Sequence, residues 1–444
     1  MDSTHRQLGV ILVGVTVLTA SIGYAAAVGP QSPTIPGFGT DAIRTSGAPS
    51  NPVDRLHGAN YTGKGVKVGI IDVTGFETSQ GPIADQVAAT RSFGSGGTAV
   101  QGTNSGHGTA TAAIVARTAP DAELYLTAFD TAAEFRQGVA WLLQQDVDVI
   151  VAPVSFFGRP GDGTAAISQA ATRAARQGVV FVAAAGNVGQ GHWHGRFDPV
   201  EEGTHLFENG TRNYLFDPTG ASDRLVLWLS WADTARQRDF TLELYTPTED
   251  AVRLLARSQP YRADGTPNER IVAAVDPDRS YYFVLRGPRD AAGTQVEVTS
   301  PTHHLAINRR AGSLVAPATG TAVVAVGAYD TQGRGAAPYS AVGHLPAGQA
   351  GESSTSGSAV DLVAGQRFTV GTERFSGTSA SAAYVAGVAA LVIDANPDAP
   401  ATDVRAALTT TAADVGRPGL DARTGHGRVR PIPAIKAIRN RLAN

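Results

Sequence analysis

From Val66 onward, short runs rich in β-branched residues alternate with Ala-rich stretches, and few folds tolerate that alternation. The runs 66–71 (VKVGII), 122–129 (AELYLTAF), 147–154 (VDVIVAPV), 178–185 (GVVFVAAA) and 321–328 (TAVVAVGA) are almost wholly apolar. A strand with no polar face must be covered on both sides, as in a parallel sheet. The stretches 109–119 (TATAAIVARTA), 134–145 (EFRQGVAWLLQQ) and 163–177 (GTAAISQAATRAARQ) supply the covering helices. The expected architecture is therefore α/β, a doubly wound parallel sheet with helices on both faces.

Residues 202–302 break this rhythm. Here only strand and turn patterns occur: 224–231 (RLVLWLSW), 239–245 (DFTLELY), 269–275 (ERIVAAV), 280–286 (SYYFVLR) and 294–299 (TQVEVT). In the second of these Phe240, Leu242 and Leu244 share one face while Thr241 and Glu243 take the other, the period-two signature of a half-buried antiparallel strand. An all-β sandwich inserted into the α/β domain is expected. Trp228, Trp231, Tyr281 and Tyr282 could form a sugar- or protein-binding face, but strand aromatics are usually core, and no binding role is assigned to them.

At the N-terminus Arg6 precedes an apolar run over 8–28, followed by a polar, Pro-containing stretch. The run ends in small residues like a signal-peptide cleavage site, yet at roughly 20 residues it is also long enough to span a bilayer. Residues 1–29 thus read as a signal peptide or membrane anchor, and export to the outside of the cell, secreted or tethered through 8–28, is the expectation. The Gly-, Pro- and Ser-rich residues 30–57 read as a linker. The catalytic unit is expected over 58–201 and 303–437, with 438–444 as a tail.

Other classes are excluded by composition. Formal net charge is only −3, and of 36 Lys and Arg only Lys64, Lys67 and Lys436 are lysines, dispersed along the chain. No basic stripe suggests a nucleic-acid partner. Cysteine is absent, which removes disulfides, thiolate catalysis and thiolate metal sites together. His192 and His194 could ligate a metal, but the sequence offers no third ligand at suitable spacing, and GHWHG reads as a loop framing the insert. No metal site is assigned.

Four segments place reactive residues at strand ends or helix starts, where such sheets build their sites. VKVGIID delivers Asp72 at the end of a strand; SGHGTATAA sets His107 between two glycines; GTSASAAYVAGVAAL opens a small-residue helix with Ser379; and AAAGN ends a buried strand at Asn187. Each alone reads equally well as a cap or turn residue. Together they stand in the order Asp, His, Asn, Ser. A carboxylate can orient an imidazole, the imidazole can take a hydroxyl proton, and an amide can stabilise the oxyanion that forms.

On these motifs the chain resembles the subtilases, the subtilisin-like serine peptidases. GKGVKVGIID, GHGT, AAAGN, DLVA, GTSASAAYVAGVAAL and the closing TGHGRVR carry the resemblance, over about residues 58–201 and 305–435. It is also similar to the subset with a β-rich insertion between the oxyanion Asn and the nucleophile. The resemblance implies that Asp72 orients, His107 acts as general base and acid, Ser379 attacks and Asn187 stabilises the oxyanion. It implies polypeptide substrates and no cofactor for the chemistry. Structural calcium is common in the family, and no oxygen-rich loop here is diagnostic of it.

Three departures stand out. Val73 intervenes between Asp72 and the expected Thr-Gly; Ala380-Ser381-Ala382-Ala383-Tyr384 replaces Met-Ala-Ala-Pro-His; and Pro153-Val154-Ser155 stands where Ser-Leu-Gly usually lines the substrate cleft. A proline there donates no backbone hydrogen bond to substrate. The stretch between Val28 and Val66 leaves no room for a chaperone-like propeptide, so folding without one is expected. The competing functions are a catalytically inactive subtilase fold that binds through its insert, and an esterase using the same triad. No feature specifies an oligomeric state.

Overall fold

A computed structural model describes residues 51–441 apart from 79–82, 95–105, 160, 233, 234, 236, 249, 250, 262–266, 345–358 and 372. The targeting segment over 8–28 lies outside the described residues. The chain enters with α1 (Pro52–His57), started by Asn51 accepting from Val53 N at 3.2 Å and by Pro52 in the first turn. Val53 and Leu56 are buried in the core, so the linker expected through residue 57 is helical at its end.

The parallel sheet is built from β1 (Lys67–Asp72), β2 (Val87–Ser92), β3 (Glu123–Ala128), β4 (Val149–Ala152) and β5 (Val180–Ala184). The helices between them are α2 (Gly106–Thr118), α3 (Ala132–Gln144) and α4 (Ala166–Arg176). Thr131 and Glu134 form a reciprocal capping box at the start of α3.

The antiparallel region follows with β6 (His192–Arg196), β7 (Asn213–Phe216), β8 (Arg224–Trp231), β9 (Thr241–Pro247) and β10 (Val252–Arg257). It continues through β11 (Gln259–Pro260), β12 (Asn268–Ala274), β13 (Tyr281–Arg286), β14 (Gln295–Thr299) and β15 (His304–Leu305). The chain then returns to the parallel sheet with β16 (Val324–Asp330), β17 (Gly335–Ala336) and β18 (Leu362–Gly365). A hairpin of β19 (Arg367–Val370) and β20 (Glu373–Ser376) leads into α5 (Thr378–Ala395), α6 (Ala401–Thr410) and α7 (Pro431–Asn440).

Strand order in the large sheet is β17-β16-β5-β4-β1-β3-β2, with β18 also on β16. Every pair is parallel except β16 with β17. Alternate residues feed two cores. Val68, Ile70, Val149, Val151, Val180 and Val182 pack with α2, α5, α6 and α7, while Ile71, Ile150, Phe181 and Ala325 pack with α3 and α4. The doubly wound sheet expected from the apolar runs is the observed one.

Helix α5 is apolar all round because it runs through the first of these cores. It is the one described helix long and apolar enough to cross a membrane, and most of it is buried in the protein. Ile438, assigned to the tail from sequence, is fully buried on α7.

Strands β6 to β15 form two five-stranded sheets, ordered β10-β9-β13-β7-β15 and β11-β12-β8-β14-β6. Leu225, Leu227 and Leu229 of one sheet meet Leu242, Leu244 and Phe283 of the other in a single apolar core. The antiparallel pairing starts at His192 and reaches Leu305, beyond the 202–302 expected. GHWHG is accordingly a strand, paired with β14, and no loop. The buried Trp193 ring gives β6 its reason to pack. Of the four aromatics expected in the core, Trp231 and Tyr281 lie in it, while Trp228 and Tyr282 are buried outside it, Trp228 against Phe157, Val188 and Val315 and Tyr282 stacked on Tyr245.

Glu243 departs from the simple two-face pattern. Its side chain is 5% exposed on the polar face of β9, covered by Arg257 (3.0 Å) and Arg286 (2.5 Å). Burial raises its carboxyl, but donors from Arg286, Tyr245 and Arg257 outweigh that and hold it below the usual value.

Glu269 on β12 is buried with one donor, the Ser258 hydroxyl, and burial pushes its carboxyl up to about 7. The folded protein therefore holds a proton that the unfolded chain loses near its ordinary pKa. Stability contributed by this group is full below about pH 4 and falls as pH rises to about 7. Glu269→Gln keeps the shape without the charge. It should raise Tm at pH 8, by an amount equivalent to at most about 3 kcal/mol, and leave Tm at pH 4 unchanged in thermal scans. Equal shifts at both pH values would contradict the assignment.

Candidate active site

The strand order reverses at β1, because the chain fills β2 and β3 on one side and β4, β5 and β16 on the other. A crevice outside the carboxyl ends of the strands follows from that reversal. Asp72 ends β1, Pro153 follows the last residue of β4, and Asn187 lies just past the end of β5. His107 and Ser379 are each the second residue of a helix, α2 and α5.

Asp72 is fully buried. Its Oδ2 lies 2.6 Å from His107 Nδ1, and its Oδ1 accepts from Thr74 N at 2.9 Å and Thr74 Oγ1 at 2.8 Å. The extra residue Val73 thus costs the carboxylate no support, since Thr74 reaches back from one position further on. The same hydroxyl accepts from Gly108 N at 2.9 Å, which ties the start of α2 to the carboxylate turn.

With Nδ1–H donated to Asp72, the tautomer of His107 leaves Nε2 as the basic nitrogen. That atom is buried and carries no hydrogen bond. The edge of Phe375, on β20, meets the imidazole at a centroid distance of 5.1 Å. Sequence reasoning missed Phe375, whose only signal is its place just ahead of the Gly-Thr-Ser motif.

Ser379 is 3% exposed, and its Oγ donates to the Pro153 carbonyl at 2.9 Å. The structure so brings Asp72 and His107 into contact, and points the serine hydroxyl at a main-chain acceptor instead of the imidazole. Gly377 makes the abrupt passage from β20 into α5 with φ +113, a conformation that favours glycine.

Asn187 Oδ1 accepts from Thr378 N at 3.1 Å and Thr378 Oγ1 at 3.0 Å. Two donors on the oxygen set the amide orientation, so Nδ2 lies over Gly377, 2.9 Å from where a Cβ would sit. The Asn187 amide and the first turn of α5 therefore meet at one place. If Asn187 has the oxyanion role that the resemblance implies, Asn187→Ala should lower kcat on a peptide substrate by about 10²–10³ while changing KM little, the behaviour of a group that binds only developing negative charge. A change confined to KM would contradict that role.

Among the described residues no group of three or more His, Cys, Asp or Glu side chains is placed to hold a metal ion. His192 Nδ1 donates to Arg309 O at 2.6 Å, and His344 stands edge-on to His194 at 6.0 Å. Burial, then His192, lowers His194 to about 4, so its imidazole is a neutral packing group.

This architecture has known counterparts. The model of the subtilase family, peptidase S8, matches residues 63–214 and 292–427, well over half of the chain, and the chain belongs to that family. Subtilisin DY of Bacillus licheniformis is 34% identical over 158 residues, which are 32% of this chain and 55% of that protein. The chain thus spans about half the length of this curated relative. The CspB protease of Clostridium perfringens has a similar fold, with a TM-score of 0.61 at 17% identity over 87% of this chain and 96% of that one. A lanthipeptide protease structure aligns over 87% of this chain and 92% of its own, at 18% identity and a TM-score of 0.48.

Proposed function

We propose that the protein is a serine endopeptidase that hydrolyses polypeptides through an acyl-enzyme intermediate. The observation that carries this reading is the 2.6 Å contact between Asp72 and His107, at the same strand ends as Asn187 and the start of the Ser379 helix. Membership of the subtilase family supports it.

In this reading the Ser379 hydroxyl turns from the Pro153 carbonyl to His107 Nε2. His107 takes its proton as Oγ attacks the scissile carbonyl carbon, and Asp72 stabilises the imidazolium that forms. The carbonyl oxygen, now an oxyanion, is met by the Ser379 backbone N–H and the Asn187 amide at the positive end of α5. His107 then gives the proton to the leaving amine, the C–N bond breaks, and the acyl group stays on Oγ. Water, deprotonated by the same imidazole, releases the acid and restores the serine.

The test is labelling of the purified protein with a fluorophosphonate probe, with the modified residue located by mass spectrometry. Labelling at Ser379 together with casein turnover is the expected result. A folded protein that stays unlabelled would favour a binding role, and labelling with turnover of simple esters alone would favour an esterase. We also infer export through the apolar run over 8–28; the mass of the mature N-terminus distinguishes cleavage from a retained anchor.

A further inference from the structure

The antiparallel region meets the parallel-sheet unit through a small apolar cluster of Phe157, Val188, Val226, Trp228 and Val315, with Tyr261 at its margin. Val188 and Val315 adjoin the turn that carries Asn187, and Phe157 lies on the segment that begins at Pro153. Val188 is the chain neighbour of Asn187. A Cβ on Gly186 would lie 2.7 Å from Val315 Cγ2, so Val315 packs directly beneath the turn that carries Asn187. Val226 and Trp228 come from the other unit, on the outward face of β8.

Beside this cluster Asn268 Nδ2, on β12, donates to the Gly158 carbonyl at 3.0 Å, with both groups buried. Gly158 has φ +68, and a Cβ there would sit 2.6 Å from Trp228 Cε3. Only glycine allows both the turn and the close approach of the indole. Tyr261 meets the indole edge-on at 5.0 Å, and the Arg270 guanidinium lies 5.6 Å from Trp228 and 4.8 Å from Tyr261.

The segment from Pro153 to Gly158 is consequently fixed at three points. Its first carbonyl accepts the Ser379 hydroxyl at 2.9 Å, Phe156 N donates to Ala316 O at 2.9 Å, and Gly158 is gripped by Asn268 and Trp228. The third grip belongs wholly to the antiparallel region. Asn268 is a costly choice for stability alone, because its Oδ1 is buried without a hydrogen-bond partner. An apolar side chain would remove that cost, but it would leave the buried Gly158 carbonyl without its donor and release Gly158.

Resting on the peptidase reading, we infer that Asn268 and Trp228 are positioning residues for extended peptide substrates. By clamping Gly158 they hold the Pro153–Gly158 backbone in register beside the nucleophile, so that a polypeptide finds a preformed edge. A misplacement of about 1 Å at such an edge is enough to cost up to about 100-fold in rate. A small ester, which uses only the reacting centre, does not need the edge.

The experiment compares kcat and KM for a series of fluorogenic peptides of increasing length with those for a p-nitrophenyl ester, in wild type, Asn268→Leu, Trp228→Ala and Trp228→Phe, with Tm for each. Asn268→Leu should lower the peptide-to-ester ratio of kcat/KM by roughly ten-fold for the longest peptide, mainly through KM, with Tm near that of wild type or lower, because the Gly158 carbonyl loses its donor as the Oδ1 cost is removed. Trp228→Phe should recover much of the ratio lost in Trp228→Ala. Parallel loss on ester and peptide, or a ratio that stays at the wild-type value, overturns the inference while leaving the peptidase reading intact. A wild type that neither turns over the ester nor labels with fluorophosphonate overturns the peptidase reading, and this inference falls with it.

Discussion

Ser379→Ala should reduce kcat on a peptide substrate by on the order of 10⁶ and abolish fluorophosphonate labelling. In the proposed mechanism the substitution removes the atom that forms the acyl bond, and it leaves the rest of the site in place. Alanine is the best helix former and the neighbouring positions of α5 are already small, so the helix should tolerate it. The single lost contact is the hydrogen bond to the Pro153 carbonyl, worth about 1 kcal/mol. Residual turnover of about 10³–10⁴ over the uncatalysed reaction should survive from oxyanion binding alone. Retained Tm with lost turnover is the pattern to look for, and a variant that keeps even a tenth of wild-type kcat would refute the nucleophile assignment.

Asp72→Asn should cost about 10⁴ in kcat, and the local hydrogen bonds say why. Thr74 presents two donors, N–H and O–H, to Oδ1 of Asp72. In the variant those donors select the amide oxygen, which turns the NH₂ group toward His107 Nδ1. Nδ1 must then accept, its proton moves to Nε2, and the nitrogen that should take the serine proton is already occupied. Fluorophosphonate labelling should slow in parallel while the melting curve stays near that of wild type. Thr74→Val/Asp72→Asn removes only the hydroxyl donor; the Thr74 backbone N–H still holds the amide oxygen, so the double variant should recover little of the rate lost in Asp72→Asn. A loss below ten-fold in the single variant would mean that Asp72 does not orient the base.

The parallel sheet was legible because its strands are continuous apolar runs, a pattern with one structural solution. Strand β2 escaped notice, since it lies at the sheet edge and four of its six residues are exposed or polar, reading as no pattern at all. In the antiparallel region β8, β9, β12, β13 and β14 were visible through alternation or aromatic content. The edge strands β10, β11 and β15 were not, being short or exposed. Strand β6 was hidden by its two histidines, which suggest a loop until Trp193 is seen to be buried between them.

At the candidate site, Asp72, His107, Asn187 and Ser379 could be singled out because glycines and helix starts surround them. The Pro153 carbonyl could not, because a main-chain acceptor has no residue type to recognise. The edge contact of Phe375 and the grip of Asn268 on Gly158 likewise depend on partners far away in the chain, which spacing does not encode. The role of Thr74 was obscured by Val73, and only the shape of the turn shows that the hydroxyl still reaches.

In the proposed mechanism the antiparallel region also divides the reacting groups in time. Asp72, His107 and Asn187 lie ahead of β6, and Ser379 lies behind β20. A ribosome therefore emits base and oxyanion donor first, then all ten strands of the two smaller sheets, and the attacking hydroxyl last. On that reading any nascent chain that stops short of α5 would carry the base without its nucleophile and could not cut, however well its earlier parts have folded.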